Sequence, residues 1–128
     1  MNTRATIAAV QADAMTQKRL RTLLDAMDIE TSIYDSAESF LERAEDARPG
    51  CVIVDMELRG MSGMQLLERL RTSHPTLPIV LLADEPDVPM AVAAMRLGAT
   101  DFIDKQHMDV RLSRRLAQLL HNGVQAHA

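Results

Sequence analysis

Apolar residues recur along this chain in two rhythms. Thr6–Val10, Cys51–Asp55, Ile79–Ala83 and Ala99–Ile103 are short, mostly apolar runs. The second and third are continuously apolar, as strands buried on both faces of a parallel sheet are. Ile29–Tyr34 is a weaker fifth run that suits a sheet edge. Between these runs the apolar positions return every three or four residues. Leu20, Leu23, Leu24 and Met27 predict a helix over about Met15–Met27. Ser36 is placed to cap a helix carrying Phe40, Leu41 and Ala44, which Pro49-Gly50 stops. Ser62 and Gln65 form a capping box ahead of Leu66, Leu67 and Leu70. Asp87 caps Val88–Leu97, with Pro89 in the first turn and Gly98 at the end. Asp109 caps a last helix bearing Leu112, Leu116, Leu119 and Leu120, with Gly123 beyond it.

Five alternations of strand and helix predict an α/β fold, an open, doubly wound parallel sheet with helices on both faces. At 128 residues the chain suits one domain. That domain is expected over 1–122, with 123–128 a tail or the start of a linker. In such a sheet ligands bind outside the carboxyl ends of the strands, where the winding reverses. The residues there are Gln11-Ala12-Asp13, Asp55-Met56-Glu57, Ala83-Asp84-Glu85 and Asp104-Lys105.

Composition narrows the function classes. No apolar run approaches the roughly 18 residues of a membrane helix, and Met1–Arg4 leads into a short alternating stretch without a signal-like core. A cytoplasmic chain is expected, with no membrane partner. Cys51 is the only cysteine, which excludes internal disulfides and multi-cysteine metal sites. It opens a buried strand and reads as core. A net charge of −4 and only three aromatics, Tyr34, Phe40 and Phe102, argue against nucleic-acid binding by this chain. His74, His107, His121 and His127 lack metal-ligand spacing, and His74 reads as a helix end. Positive charge is carried by twelve arginines and only two lysines. Lys18 fits a solvated helix face. Lys105 closes the last strand.

Asp55 ends a fully apolar strand, so it stands at the mouth of the crevice, and Lys105 is placed to reach it. A carboxylate faced by an ammonium can act as a nucleophile toward a phosphoryl group, the lysine neutralising phosphate charge. The plainer readings are a turn aspartate and a surface lysine.

These segments resemble the receiver domains of bacterial two-component response regulators over about Ala5 to His121. The run Asp55-Met56-Glu57-Leu58-Arg59-Gly60-Met61-Ser62-Gly63 looks like the family's segment after strand three, whose leading aspartate is phosphorylated. Asp87–Met95 followed by Gly98-Ala99-Thr100-Asp101-Phe102-Ile103 is similar to the FixJ-like branch. The resemblance implies a flavodoxin-like fold with strand order 2-1-3-4-5. It makes Asp55 the candidate phosphoacceptor, Lys105 its charge partner and Phe102 the aromatic switch position.

Five positions depart from the family pattern. Gln11 and Ala12 stand where the resemblance implies two acidic residues that hold Mg²⁺, leaving Asp13 from a third acidic position. The remaining donors are Asp55, the backbone carbonyl of Glu57, Asp13 and the amide of Gln11, so Mg²⁺ binding is expected to be weak. Ala83 replaces a hydroxyl residue that links the phosphate to Phe102, and Asp84 and Glu85 add negative charge nearby. Gln106 replaces a proline, which removes a rigid turn and frees Lys105 to sit differently. Arg59 also stands where a proline is common.

Three functions are weighed. One is a conventional receiver phosphorylated on Asp55 by a histidine kinase with Mg²⁺. A second is an atypical, non-enzymatic receiver in phosphorelay signalling, acting through protein contacts with weak or no phosphorylation. Its partners are a histidine kinase or another signalling protein, or a second copy. Its surface is the face of helix four, strand five and helix five, with Arg96, Arg111, Arg114 and Arg115 and with Met90, Met95 and Met108 nearby. The plainer reading makes those methionines core. A third is a phosphatase or flavin binder on the same fold, which lacks a second aspartate at Glu57, a Ser/Thr-rich phosphate loop, a P-loop and a Gly-rich dinucleotide turn. The second reading fits the altered pocket best. FixJ-like receivers usually precede a DNA-binding domain, and both a free-standing receiver and part of a longer chain stay open.

Overall fold

The computed structural model describes residues 5–127, and the side chains among them outside 44–47 and 121–127. The side chains of Ala44, His121 and His127, and the whole of Met1–Arg4 and Ala128, therefore lie outside the described residues. The strands are β1 (Thr6–Val10), β2 (Glu30–Tyr34), β3 (Cys51–Asp55), β4 (Ile79–Ala83) and β5 (Asp101–Asp104). The helices are α1 (Ala14–Ala26), α2 (Ala37–Ala47), α3 (Gly63–Ser73), α4 (Val88–Arg96) and α5 (Met108–His127), with a single 3₁₀ turn at Lys105–His107. All four strand pairings are parallel, in the order β2-β1-β3-β4-β5. This is the expected flavodoxin-like arrangement. The winding reverses between β1 and β3.

Alternation along the strands builds two cores. Ile7, Ala9, Cys51, Ile53, Val80, Leu82 and Ile103 pack against Leu20 and Leu24 of α1 and Leu112 and Leu116 of α5. Ala8, Val10, Val52, Val54, Ile79 and Leu81 pack against Phe40 of α2, Leu66, Leu67 and Leu70 of α3, and Ala94 of α4. β3 and β4 are buried along their whole length, as their continuous apolar runs required. Cys51 is core, and burial pushes its thiol up to about 12.

β1, β3 and β4 fall where the apolar runs place them, and the caps expected at Ser36, Ser62 and Asp87 form. Ser36 Oγ accepts from Ser39 N–H and Asp87 from Met90 N–H, while Asp13, not foreseen as a cap, accepts from Thr16 N–H. Ser62 and Gln65 close the capping box, and His74 is the C-cap of α3.

Three boundaries move. β5 begins at Asp101 and not Ala99, because Gly98 and Ala99 still belong to the end of α4: their N–H groups donate to the carbonyls of Met95 and Ala94. Asp109 is not the cap of the last helix. Asp104 caps the 3₁₀ turn that leads into it, accepting from Gln106 N–H at 3.0 Å, and Asp109 falls in the first turn of α5, where a carboxylate suits the helix dipole. The last helix also runs through Gly123 to His127, since an interior glycine costs about 1 kcal/mol and does not forbid a helix.

One arginine ties two loops together. Arg71 of α3 donates through Nη1 to the carbonyls of His74, Pro75 and Leu77, and through Nε and Nη2 to Gly98 O at 3.1 and 2.7 Å. Gly98 is left-handed at φ 104°, and a Cβ there would stand 2.9 Å from Arg71 Nε.

Gly63 seats α3 under the end of β3. A Cβ at Gly63 would strike the carbonyl oxygen of Asp55 and come within 2.8 Å of Met56 Cα. The obstacle is backbone, which cannot turn aside as a side chain does. Gly63→Ala is therefore expected to lower the unfolding free energy by about 1–3 kcal/mol, read from the urea midpoint. An unchanged midpoint would show that α3 does not press on the Asp55 backbone as described.

Candidate functional site

The alternation that builds the α1/α5 core also selects the site. Gln11 continues the series Ile7, Ala9; Asp55 continues Cys51, Ile53; Asp84 continues Val80, Leu82; Lys105 follows Ile103. The four side chains project toward one another past the carboxyl ends of β1, β3, β4 and β5. Asp55, Asp84 and Lys105 line a cavity of about 660 Å³ with Ala12, Asp13, Ala14, Asp35, Ser36, Glu57 and Arg59, and Gln11 joins the site through Asp55.

Asp55 is only 1% exposed. Its Oδ2 accepts from Lys105 Nζ at 2.7 Å, and its Oδ1 accepts from Glu57 N–H at 2.9 Å. Gln11, fully buried, completes the set. Hydrogen bonding orients its amide so that Nε2 donates to Asp55 Oδ2 at 2.8 Å and Oε1 accepts from Asp55 N–H at 3.3 Å. The reverse orientation would set oxygen against oxygen. The backbone carbonyl of Gln11 in turn accepts from Gln17 Nε2.

Lys105 is buried too, and it is shared. Its ammonium reaches Asp84 Oδ2 at 3.3 Å and stands 3.9 Å from Glu57 Oε2. Burial alone would pull this ammonium down. The hydrogen bond and charge of Asp55, joined by Asp84, override burial and hold it above the usual lysine value. Glu57 shows the opposite side of the same crowding. Burial and the neighbouring Asp55 carboxylate raise it to about 7, although Asp84 N–H donates to its Oε1 at 3.0 Å.

The other sequence-selected residues lie around this centre. Asp13 caps α1, and hydrogen bonds from the Thr16 hydroxyl and N–H hold its carboxyl below the usual aspartate range. Ala12 is exposed and brings no donor, and Ala83 is fully buried with a methyl where a hydroxyl was in question. Phe102 is half-buried and packs with the α2–α4 core. Glu85, in left-handed backbone at φ 43°, does not line the cavity, whereas Arg59 does.

Two expectations are corrected. Loss of proline at Gln106 does not loosen the turn, because its N–H, which proline lacks, is bonded to Asp104 and Lys105 reaches Asp55. Asp84 is not simply a repelling charge, since it bonds the lysine. The direct grip of Gln11 on Asp55 was not anticipated. Strand alternation carried that signal, because Gln11 has the same parity as Ile7 and Ala9.

The donor set is a poor one for Mg²⁺. That ion requires near-octahedral oxygen ligands. Here Asp55 is engaged by three hydrogen-bond donors, the Gln11 amide faces it, and Ala12 has nothing to offer. Among the described residues no group of three His, Cys, Asp or Glu side chains is placed to hold a metal.

A family model described as the response regulator receiver domain matches residues 7–117. The chain belongs to that family. The receiver is 32% identical over 126 residues to the transcriptional regulatory protein FixJ of Bradyrhizobium diazoefficiens, a match covering 98% of this chain and 62% of that protein. FixJ of Rhizobium meliloti is 32% identical over 123 residues, covering 96% of this chain and 60% of the relative. The receiver thus spans less than two thirds of the length of these relatives. Among solved structures, full-length FixJ from B. japonicum superposes with a TM-score of 0.84 at 32% identity, covering 94% of this chain and 59% of that one. A response regulator from Chloroflexus aurantiacus gives 0.87 at 26% identity, covering 93% and 99%. Among the described residues no helix is long and apolar enough to cross a membrane.

The raised Glu57 carboxyl makes stability depend on pH. The folded chain holds a proton on Glu57 from about its ordinary 4.5 up to about 7, while the unfolded chain has already released it. Stability from this group is full below 4.5 and declines as pH rises through 7. Glu57→Gln is expected to raise the urea midpoint at pH 8 and to leave it nearly unchanged at pH 5. A variant equally displaced at both pH values would contradict the shift.

Proposed function

We propose that this receiver is atypical: it signals through protein contacts in a phosphorelay, with weak or no Mg²⁺-dependent phosphorylation of Asp55. One observation carries the reading. The Asp55 carboxylate is buried and already accepts three hydrogen bonds, from Lys105, Gln11 and the Glu57 N–H. Each of those donors stabilises the free carboxylate and lowers its nucleophilicity. An incoming phosphoryl group would also meet Asp84 and Glu57 around a single ammonium. Asp55 remains the candidate phosphoacceptor and Lys105 its charge partner. Asp55, the Glu57 carbonyl and Asp13 are at most a weak Mg²⁺ set. Ala83 leaves Phe102, the aromatic switch position, without a hydroxyl to pull on it.

The acting surface in this proposal is the α4–β5–α5 face. Val88, Val92 and Met95 are exposed on α4 beside Arg96, and Arg111 and Arg114 are exposed on α5. Arg115 is held by Asp101 at 3.4 Å, and Met108 is core. A histidine kinase, another signalling protein or a second copy would dock there, in the cytoplasm. The role is signalling and not catalysis of a separate reaction.

The Asp55–Lys105 contact also favours a second reading, a conventional receiver. There the carboxylate attacks phosphorus of a kinase phosphohistidine, the P–N bond breaks, and the imidazole leaves. Intact mass after incubation with acetyl phosphate and Mg²⁺ separates the two. No phosphoryl gain is expected for the wild type. Restoring acids with Gln11→Asp and Ala12→Asp is expected to tighten Mg²⁺ binding by about tenfold or more. A gain of one phosphoryl group by the wild type, absent in Asp55→Asn, would restore the conventional mechanism.

A further inference from the structure

A second concavity lies beside the Asp55 site, between α1 and α2 at the carboxyl end of β2. It is an open cavity of about 610 Å³, within the range of small-molecule sites. Lys18 and Arg21 line it from one stripe of α1, three residues apart, and Arg43 lines it from α2. None of the three forms a salt bridge or side-chain hydrogen bond with a described residue. Arg59, Arg96, Arg111 and Arg114 likewise bond no described residue, so what sets these three apart is that they line one cavity.

Three cations share this cavity with a single carboxylate, Asp35, so its lining carries an excess of positive charge. The chain as a whole is acidic, at −4, so this clustering is local and runs against its composition. Polar groups stand among the cations. Tyr34 lines the cavity with its ring set edge-on to Phe40, centroids 5.3 Å apart, and its hydroxyl bonds no described residue. Ser39 donates its hydroxyl to Ser36 O and keeps acceptor capacity. Asp35 lines the cavity as well and offsets part of its attraction for a bare anion.

We infer that the Lys18–Arg21–Arg43 cavity binds a phosphorylated sugar or nucleotide, its di- or polyphosphate group on the three cations and its sugar hydroxyls on Asp35. Two arginines and a lysine match phosphate oxygens through charge-assisted hydrogen bonds. A carboxylate is an acceptor suited to sugar hydroxyls, which a wholly basic groove would lack. The site is separate from phosphorylation of Asp55. It shares Asp35 and Ala14 with the neighbouring cavity, so an occupant lies against the rim of the Asp55 pocket.

The test is isothermal titration of the purified chain with pyrophosphate, ADP and adenosine at fixed ionic strength, because screening alone imitates weak anion binding. Saturable binding of pyrophosphate and of ADP is expected, with none for adenosine. Tighter binding of ADP than of pyrophosphate would assign the sugar hydroxyls to Asp35, and Asp35→Asn would remove that difference. Arg21→Gln combined with Arg43→Gln is expected to weaken both by about tenfold or more. Both side chains are exposed, and circular dichroism checks that the fold is kept. Arg59→Gln, on the Asp55 cavity, is expected to leave affinity unchanged. Amide resonances of Lys18, Arg21 and Arg43 would shift on titration, ahead of those of Asp55 and Lys105. No saturable binding, equal affinity in the double variant, or loss through Arg59→Gln instead, would overturn the inference.

Discussion

Burying the Asp55 carboxylate takes from it the water that would otherwise carry its charge, and several kcal/mol of hydration go with it. The arrangement at the carboxyl edge of the sheet answers that loss. Lys105 supplies the counter-charge, the Glu57 N–H satisfies one oxygen, and Gln11 shares the other. An ion pair so placed contributes little net stability, because two charges have been desolvated to form it. What it contributes is position: removing either partner strands the other. The turn after β5 serves the same end, since the Asp104–Gln106 bond fixes the point from which Lys105 extends.

A neutral amide at position 11 changes the charge balance without leaving a hole. An acid there would face Asp55 with a second negative charge and call for a cation between them. An amide instead donates, and the site closes on itself with one ammonium. Ala12 and Ala83 follow the same direction, each offering a methyl where the family resemblance implies a polar ligand. The alterations are therefore one electrostatic change spread over two strand ends. The remaining excess of carboxylate around Lys105 is relieved by proton uptake at Glu57.

The doubly wound parallel class and most caps could be read along the chain, because they rest on periodicity and on short-range capping chemistry, whereas the strand order followed only from the family resemblance. The runs at Thr6–Val10, Cys51–Asp55 and Ile79–Ala83 are bounded by abrupt changes in polarity, which is why their limits were legible. The end of α4 was not, because Gly98 and Ala99 are apolar enough for a strand yet are claimed by helix carbonyls. The start of α5 was hidden similarly, because a 3₁₀ turn capped by Asp104 precedes it and leaves Asp109 inside the helix. Asp55 and Lys105 were legible as a pair. The Gln11 contact depends on a side chain crossing between adjacent strands, and Asp84 on a lysine able to serve two acids. Neither appears in a one-dimensional pattern unless strand parity is carried past the strand ends. The α1–α2 cavity was illegible for a different reason: Lys18 on a helix surface looks solvated until Arg43 is seen opposite.

The guanidinium of Arg71 divides α4 into two mechanically different ends. At its carboxyl end, Gly98 is fastened to α3 by two hydrogen bonds and is too crowded to accept a side chain. At its amino end, the loop from Asp84 to Asp87 rests on Lys105 and on the Asp87 cap, with Glu85 held in a backbone conformation that its side chain disfavours. Val88, exposed at the amino end, therefore stands beside the loop that rests on Lys105, while the Arg71 bonds fasten the far end of the same helix. α4 thus spans from the Asp55 site to a fixed point at the other end of the sheet.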